Sequence, residues 1–375
     1  MKVAIDFTAV KTTGALRYYG GFMPAFAKSA ENHQIVIYGS RSCAGVTLPE
    51  NCEIKYISES CSTLKRLYWG QVFLPRLLAE DKCDVFFAPF DIGPVSGDCA
   101  MLLGVRNPTS ALLSLNYQVK ESKTYLKIHR IASQISAKKA NLVFFPSQYA
   151  SDTLGDLLNV PSKKRAVVYH GCDPCYWAIE KDSKYILEKL GVVRKKYFLF
   201  VSNFYRYKHA DTFIYGFREF LNKIQSTDFK AVLVGNSSDG DSEIYLEMIR
   251  DLGLEGRFVF ASKILDDELR ALYQNSAAFV FPSLMETFGQ PLVEALNAGS
   301  LVIAADTAFA RELCAESAIY FPPLDYRELG ECLMRVSNDP ELVSRMTVTG
   351  RRRGQAFTWD REARGTLDLL LRLNQ

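Results

Sequence analysis

The sequence predicts an α/β protein built from two doubly wound, Rossmann-like domains facing each other across a cleft. Three observations carry that reading. Short, almost uninterrupted apolar runs alternate with longer amphipathic stretches, the pattern of a parallel sheet covered by helices on both faces. The alternation stops over residues 173–196, which carry no strand signal, and then begins again. At 375 residues the chain also exceeds what one hydrophobic core ordinarily organises.

The first set of strands reads VAIDF (3–7), QIVIY (34–38), DVFFA (84–88), AMLLGV (100–105), LVFFPS (142–147) and AVVYHG (166–171). Between them lie the amphipathic segments 64–80, LKRLYWGQVFLPRLLAE, and 120–140, KESKTYLKIHRIASQISAKKA. These give an N-terminal domain over 1–172, followed by a hinge region over 173–196. The second set reads YFLFVS (197–202), KAVLVG (230–235), RFVFAS (257–262), AAFVFPS (277–283) and LVIAAD (301–306), placing a second domain at 197–356. In open sheets of this kind ligands bind beyond the carboxyl ends of the strands, so the site is expected between the two domains.

Composition narrows the class. The chain is 48% hydrophobic and 23% charged, as soluble globular proteins are. No run of about 20 apolar residues is present to span a membrane, and MKVAIDFTAV reads as a first strand rather than a signal peptide. Nine cysteines without framework spacing imply reduced thiols and a cytoplasmic setting. Cys172 and Cys175 form a single C-x-x-C, a spacing that suits a redox or zinc site, but no second one accompanies it and its Gly-Cys-Asp-Pro context is also that of an ordinary turn. A net charge of +3 is too small to argue for nucleic acid.

The most informative stretch is 281–300, FPSLMETFGQPLVEALNAGS. A strand ends at Pro282-Ser283, a loop carries Glu286 to Gly289, and Pro291 suits the first turn of a helix. Gly299 is the expected stop. Such a junction offers amides and a positive helix end to an anion, and a glycine at 289 lets a phosphate approach the backbone. Glu286 precedes the amides and Glu294 sits one turn into the helix, so a diphosphate held there offers hydroxyls to both carboxylates. A sugar nucleotide has that shape. Taken alone, E-x7-E is also compatible with a dipole-facing Glu286 and a solvated Glu294.

PSLMETFGQPLVEALNAGSLVIAAD resembles the signature of retaining glycosyltransferases of family 4, which have the GT-B fold. YWGQVFLPRLL with DVFFAP, AVVYHGCDP, RFVFASKILDDELRALYQNSAAFVFPS and FTWDREARGTLDLL resemble further family segments in the same order. The last is similar to a terminal helix (357–375) that crosses back to the first domain. The resemblance implies an acceptor-binding first domain and a donor-nucleotide-binding second domain. It implies that Glu286 hydrogen-bonds the transferred sugar, Glu294 the ribose, and the amides of Phe288, Gly289 and Gln290 the sugar and distal phosphate.

In VSNFYRYKH (201–209), Lys208 fits the family's phosphate-binding lysine. Asn203 stands at the usual arginine position, with Arg206 displaced as its substitute. The nucleobase is expected against Lys263 and Ile264, and Gly14 in KTTGALRYYGG holds the place of the family's Gly-rich loop. Arg106 and Asn107 end a strand where many relatives carry a sugar-facing histidine. With His170 they are the candidate sugar or acceptor contacts on the first domain.

The implied reaction is a same-face transfer of a hexose-type sugar from a GDP- or UDP-linked donor to a glycan or lipid-linked acceptor in surface polysaccharide or lipopolysaccharide assembly. No Asp-x-Asp sits at a strand end, so no metal and no cofactor are expected. Lysines interleaved with Tyr125, Leu126, Ile128, Ile131 and Ile135 suit two readings: a helix packed on the sheet with solvated lysines, or peripheral contact with the inner membrane face. A GT-B epimerase or phosphorylase and a two-lobed sugar-binding protein are the competing functions. A nicotinamide dehydrogenase lacks its G-x-G-x-x-G after the first strand.

Overall fold

A computed structural model describes residues 1–10, 13–57, 63–114, 122–180, 182–224, 228–235 and 241–375. The described part of 1–172 together with Phe357–Gln375 forms one compact unit, and Asp173–Ala356 forms the other. Each is an all-parallel sheet with helices on both faces.

In the first unit the strands are β1 (Lys2–Phe7), β2 (Gln34–Gly39), β3 (Cys52–Tyr56), β4 (Val85–Ala88), β5 (Ala100–Gly104), β6 (Leu142–Phe145) and β7 (Arg165–Val167). Their order is β3-β2-β1-β4-β5-β6-β7. The period of two along β1 separates its faces. Val3, Ile5 and Phe7 pack with Phe22 and Phe26 and with Leu367 and Leu370 of the C-terminal helix. Ala4 joins Phe86, Leu103, Leu74 and Leu154 on the opposite side.

The second unit holds β8 (Tyr197–Val201), β9 (Lys230–Val234), β10 (Phe258–Ala261), β11 (Ala278–Phe281), β12 (Val302–Ala305) and β13 (Ala318–Phe321), ordered β10-β9-β8-β11-β12-β13. One face is dominated by phenylalanine: Phe198 and Phe200 of β8 pack with Phe213, Phe217 and Phe220. In both sheets the strand order reverses once, between β1 and β4 and between β8 and β11. In doubly wound sheets the loops diverge at such a reversal and leave a crevice at the carboxyl ends, where ligands bind.

Several elements differ from the sequence expectation. Edge strands β3 and β13 were not anticipated. CEIKY carries Glu53 and Lys55, and an edge strand needs no continuous apolar run because it is half exposed. The segment 64–80 is two helices, Thr63–Val72 and Leu74–Glu80, with Pro75 opening the second. KTTGALRYYGG is not a glycine-rich loop. A helix runs from Thr13 to Ser29, with Gly14 exposed in its first turn. Tyr18, Tyr19, Phe22, Met23 and Phe26 recur at helical spacing and are buried, so packing draws the segment into a helix; Lys11 and Thr12 lie outside the described residues. Within 173–196, helices Pro174–Ala178 and Lys184–Leu190 pack as part of the second unit, with Trp177 edge-on to Tyr273 at 5.6 Å.

The C-terminal helix, Trp359–Leu373, belongs to the first unit. It is preceded by a parallel bridge between Cys172 and Thr358, and the Cys172 N–H donates to the Phe357 carbonyl at 3.1 Å. The two points at which the chain leaves and re-enters this unit are therefore side by side. A Cβ on Gly171 would meet the Trp359 side chain at 2.4 Å, so only glycine permits the helix to seat this closely.

Candidate functional site

The second unit's site grows from the loops after β8 and β11, the two strands that flank the reversal of strand order. After β8 a short 3-10 turn, Arg206–Lys208, is ended by His209 in the left-handed conformation (φ 53°). After β11, Ser283 Oγ donates to the Met285 carbonyl at 3.2 Å and bends the chain back. The loops are joined by the Leu284 N–H, which donates to the Tyr207 carbonyl at 3.3 Å. They are joined again by Lys208 Nζ, which donates to Glu286 Oε1 at 2.5 Å. These two side chains are only 13% and 12% exposed, so the pair is poorly screened by solvent.

Gly289 then starts the helix Gln290–Ala298 at φ 96°, a conformation that disfavours any side chain, with Pro291 in the first turn and Gly299 ending the helix at φ 75°. Phe288 is buried and anchors the loop. Glu294 is 2% exposed rather than solvated and accepts from Tyr273 Oη at 3.4 Å. A buried carboxylate is costly unless it is paired or hydrogen-bonded, and Tyr273 supplies one such partner. The structure thus gathers Lys208, Glu286, Phe288, Gly289, Gln290 and Glu294 along one strand-to-helix junction and its neighbouring loop.

Other candidates fall elsewhere in this unit. Arg206 is 43% exposed and pairs with Asp241 at 3.3 Å, so it does not join Lys208 and Glu286. Asn203 is exposed in the same loop, and its carbonyl accepts the Tyr205 N–H at 2.9 Å. Lys263, with φ 55°, and the half-buried Ile264 lie in the loop after β10. Among the described residues no three His, Cys, Asp or Glu side chains gather into a metal-holding group.

In the first unit, Arg106 and Asn107 follow β5 and are set by Asp91. Its Oδ1 accepts the Arg106 N–H at 2.8 Å, and its Oδ2 accepts from Asn107 Nδ2 at 2.6 Å. The Arg106 guanidinium lies 3.2 Å from the centre of the Tyr18 ring, a close cation–π contact. Its Nε donates to His170 Nε2 at 3.1 Å, with Nη2 close to both ring nitrogens, 2.6 Å from Nδ1.

His170 Nδ1 in turn lies 3.2 Å from Glu362 Oε1, and the Gly171 N–H donates to Glu362 Oε2 at 2.7 Å. Burial and the Arg106 charge push the His170 imidazole below its ordinary value. For Glu362, burial raises the carboxyl, but His170, Arg106 and the Gly171 amide outweigh it and the net shift is downward. Asp91, Tyr18 and Glu362 were missed by the sequence reading. Glu362 is 192 positions from His170, and no local pattern spans such a distance. Between the loops after β1 and β4 lies a pocket lined by Asp6, Thr8, Gln71, Phe90 and Gly93 among others.

Residues 183–353 match the family model for glycosyl transferases group 1. Over 216 residues the chain is 25% identical to the O-antigen chain mannosyltransferase RfbU of Salmonella typhimurium, covering 58% of this chain and 56% of that one. It is 27% identical over 247 residues to an MMP α-(1→4)-mannosyltransferase of Mycolicibacterium hassiacum, covering 64% and 54%. The chain thus spans little more than half the length of these curated relatives. Among solved structures, Anabaena HepE in complex with UDP superposes with a TM-score of 0.73 at 18% identity, over 99% of this chain and 100% of that one. The two parallel-sheet units are those of the GT-B fold, and residues 183–353 are similar to the glycosyl transferases group 1 family.

Proposed function

We propose that this chain is a retaining, nucleotide-sugar-dependent glycosyltransferase that transfers mannose to a glycan or lipid-linked acceptor during surface polysaccharide assembly. The observation that carries the reading is the Lys208–Glu286 pair, held at 2.5 Å beside the left-handed Gly289 where the second sheet reverses its strand order. Mannose is favoured by the names of the two mannosyltransferase relatives.

In this reading the donor diphosphate lies at the positive end of the helix Gln290–Ala298. Lys208 neutralises the charge that grows on the leaving phosphate, where a fixed cation in a partly desolvated site is most effective. Glu286 receives sugar hydroxyls in exchange for part of its hold on Lys208. Glu294 takes the ribose hydroxyls, Lys263 and Ile264 face the base, and Asn203 and Arg206 border the phosphate loop. The leaving phosphate oxygen takes the acceptor's proton on the same face, so transfer needs neither a protein nucleophile nor a metal.

The acceptor is assigned to the first unit, at the pocket between the loops after β1 and β4 and the Arg106–Asn107–His170 edge. Membrane contact is assigned to the helix Lys123–Lys139. Ile128, Ile131 and Ile135 are each at least half exposed rather than packed on the sheet, and Lys127, Lys138 and Lys139 are exposed on the same helix. An apolar stripe with basic flanks fits an anionic lipid surface; Lys120 lies outside the described residues.

The test is thermal shift and turnover with GDP, UDP, GDP-mannose and UDP-glucose. Stabilisation by a nucleoside diphosphate, with release of that diphosphate from its sugar conjugate, supports the reading. Binding of neither GDP nor UDP at millimolar concentration overturns it.

A further inference from the structure

We propose that Glu362 is a positioning residue: through His170 its carboxylate fixes the Arg106 guanidinium over Tyr18, at the edge of the first unit where the acceptor is proposed to bind. The inference rests on that acceptor-side reading and adds a residue from the far end of the chain to it.

Glu362 sits in the first turn of the C-terminal helix, whose other inward positions are Ala363, Thr366, Leu367, Leu369 and Leu370. Its side chain is 0% exposed. With Arg106 replaced as well, apolar residues of similar size would hold the helix on the sheet about as well, because replacing a whole buried ion pair by hydrophobic packing is often neutral or stabilising. Docking the helix therefore does not explain a carboxylate here.

What the carboxylate does is visible in its partners. One oxygen accepts the Gly171 N–H at 2.7 Å, and the other faces His170 Nδ1 at 3.2 Å and Arg106 Nη2 at 3.8 Å. Both Glu362 Oε1 and Arg106 Nη2 approach Nδ1, at 3.2 and 2.6 Å; the ring proton is assigned to Nδ1, facing the carboxylate, which leaves a lone pair on Nε2. That lone pair receives the Arg106 Nε–H at 3.1 Å. The order Glu362, His170, Arg106 thus sets both the imidazole tautomer and the orientation of the guanidinium, which the Tyr18 ring supports from one side at 3.2 Å. Asp91 fixes the backbone of Arg106 independently, at 2.8 Å, so the two ends of this residue are held by different carboxylates.

The test compares Glu362→Gln, Arg106→Lys and the double variant in the full chain. Glutamine keeps the size of the side chain and an acceptor for the Gly171 N–H but loses the charge. Imidazole nitrogen spectra, with the His170 signal assigned through His170→Gln, are expected to show an Nδ1–H tautomer in the parent and its loss in Glu362→Gln.

Glu362→Gln is expected to lower the Tm, because it removes the charge partner of the buried Arg106. Per folded molecule, nucleoside diphosphate affinity is expected to stay near that of the parent, while kcat with GDP-mannose or UDP-glucose falls about tenfold or more at a donor KM within about threefold. The double variant is expected to be no slower than Arg106→Lys, since the two residues act as one unit. The proposal is overturned if the His170 tautomer is the same with and without the charge. It is likewise overturned if Glu362→Gln keeps the parent kcat, or if its activity falls only as its folded fraction falls. If the parent binds no nucleoside diphosphate, the donor reading fails, and the imidazole spectra still decide whether Glu362 governs His170.

Discussion

Removing the Lys208 ammonium separates stability from chemistry in a way the structure makes quantitative. Lys208→Ala leaves the Glu286 carboxylate 12% exposed and without its contact at 2.5 Å. A hydrogen bond to a charged group at such a site contributes about 2 kcal/mol. In a domain of this size that corresponds to a fall in Tm of about 4–8 °C. Loss of one preorganised donor to a developing anion lowers kcat by about 10²–10³-fold, or ~3–4 kcal/mol.

The two effects part company in Lys208→Met/Glu286→Gln, which leaves no unpaired charge. Its Tm is expected to return most of the way to the parent, while turnover stays at or below that of Lys208→Ala. Melting followed by tryptophan fluorescence and initial rates of nucleoside diphosphate release measure the two quantities on the same samples. If the double variant recovers turnover along with Tm, the pair is structural and Lys208 does not meet the phosphate. Near-parent activity in Lys208→Ala refutes the phosphate contact equally.

Gly289→Ala forces a Cβ into φ 96° and to within 3.1 Å of Leu292 Cδ1, so the second unit should lose about 1–2 kcal/mol and bind nucleoside diphosphate more weakly, read by melting and calorimetry. Stability of the first unit should fall on acidification. The folded His170 and Glu362 both titrate below their unfolded values, so the unfolded chain takes up protons first: His170 contributes from about pH 6.5 downward and Glu362 through the carboxylate range. His170→Gln should flatten the upper part of that pH dependence, with Glu362, Arg106 and Tyr18 left in place around it; an unchanged slope refutes the assignment. Excess EDTA should leave the rate of transfer unchanged, and a loss restored by a divalent cation would show that Lys208 does not suffice for the leaving phosphate. Flotation with anionic vesicles at low salt should carry the protein upward, and replacing Ile128, Ile131 and Ile135 by serine should abolish it; no flotation of the parent removes the membrane assignment.

The sequence by itself determined the two doubly wound sheets and the strand-to-helix junction at 281–300. Those features are local: continuous apolar runs, a proline that opens a helix, and glycines at positions that require φ above zero report their conformation within a few residues of themselves. For the same reason Glu286, Gly289 and Lys208 were legible as one candidate site, and the fold brings them together. Edge strand β3 was not legible, because a half-exposed strand carries weak periodicity, and the helix through Gly14 was not, because packing overrides a glycine-rich composition. Only the tertiary structure decided that Arg206 turns to Asp241, that Ile128, Ile131 and Ile135 face outward, and that Glu362 reaches His170. Burial and charge pairing are set by which segments the fold brings together, and the energy of a buried carboxylate depends on partners that lie far away along the chain.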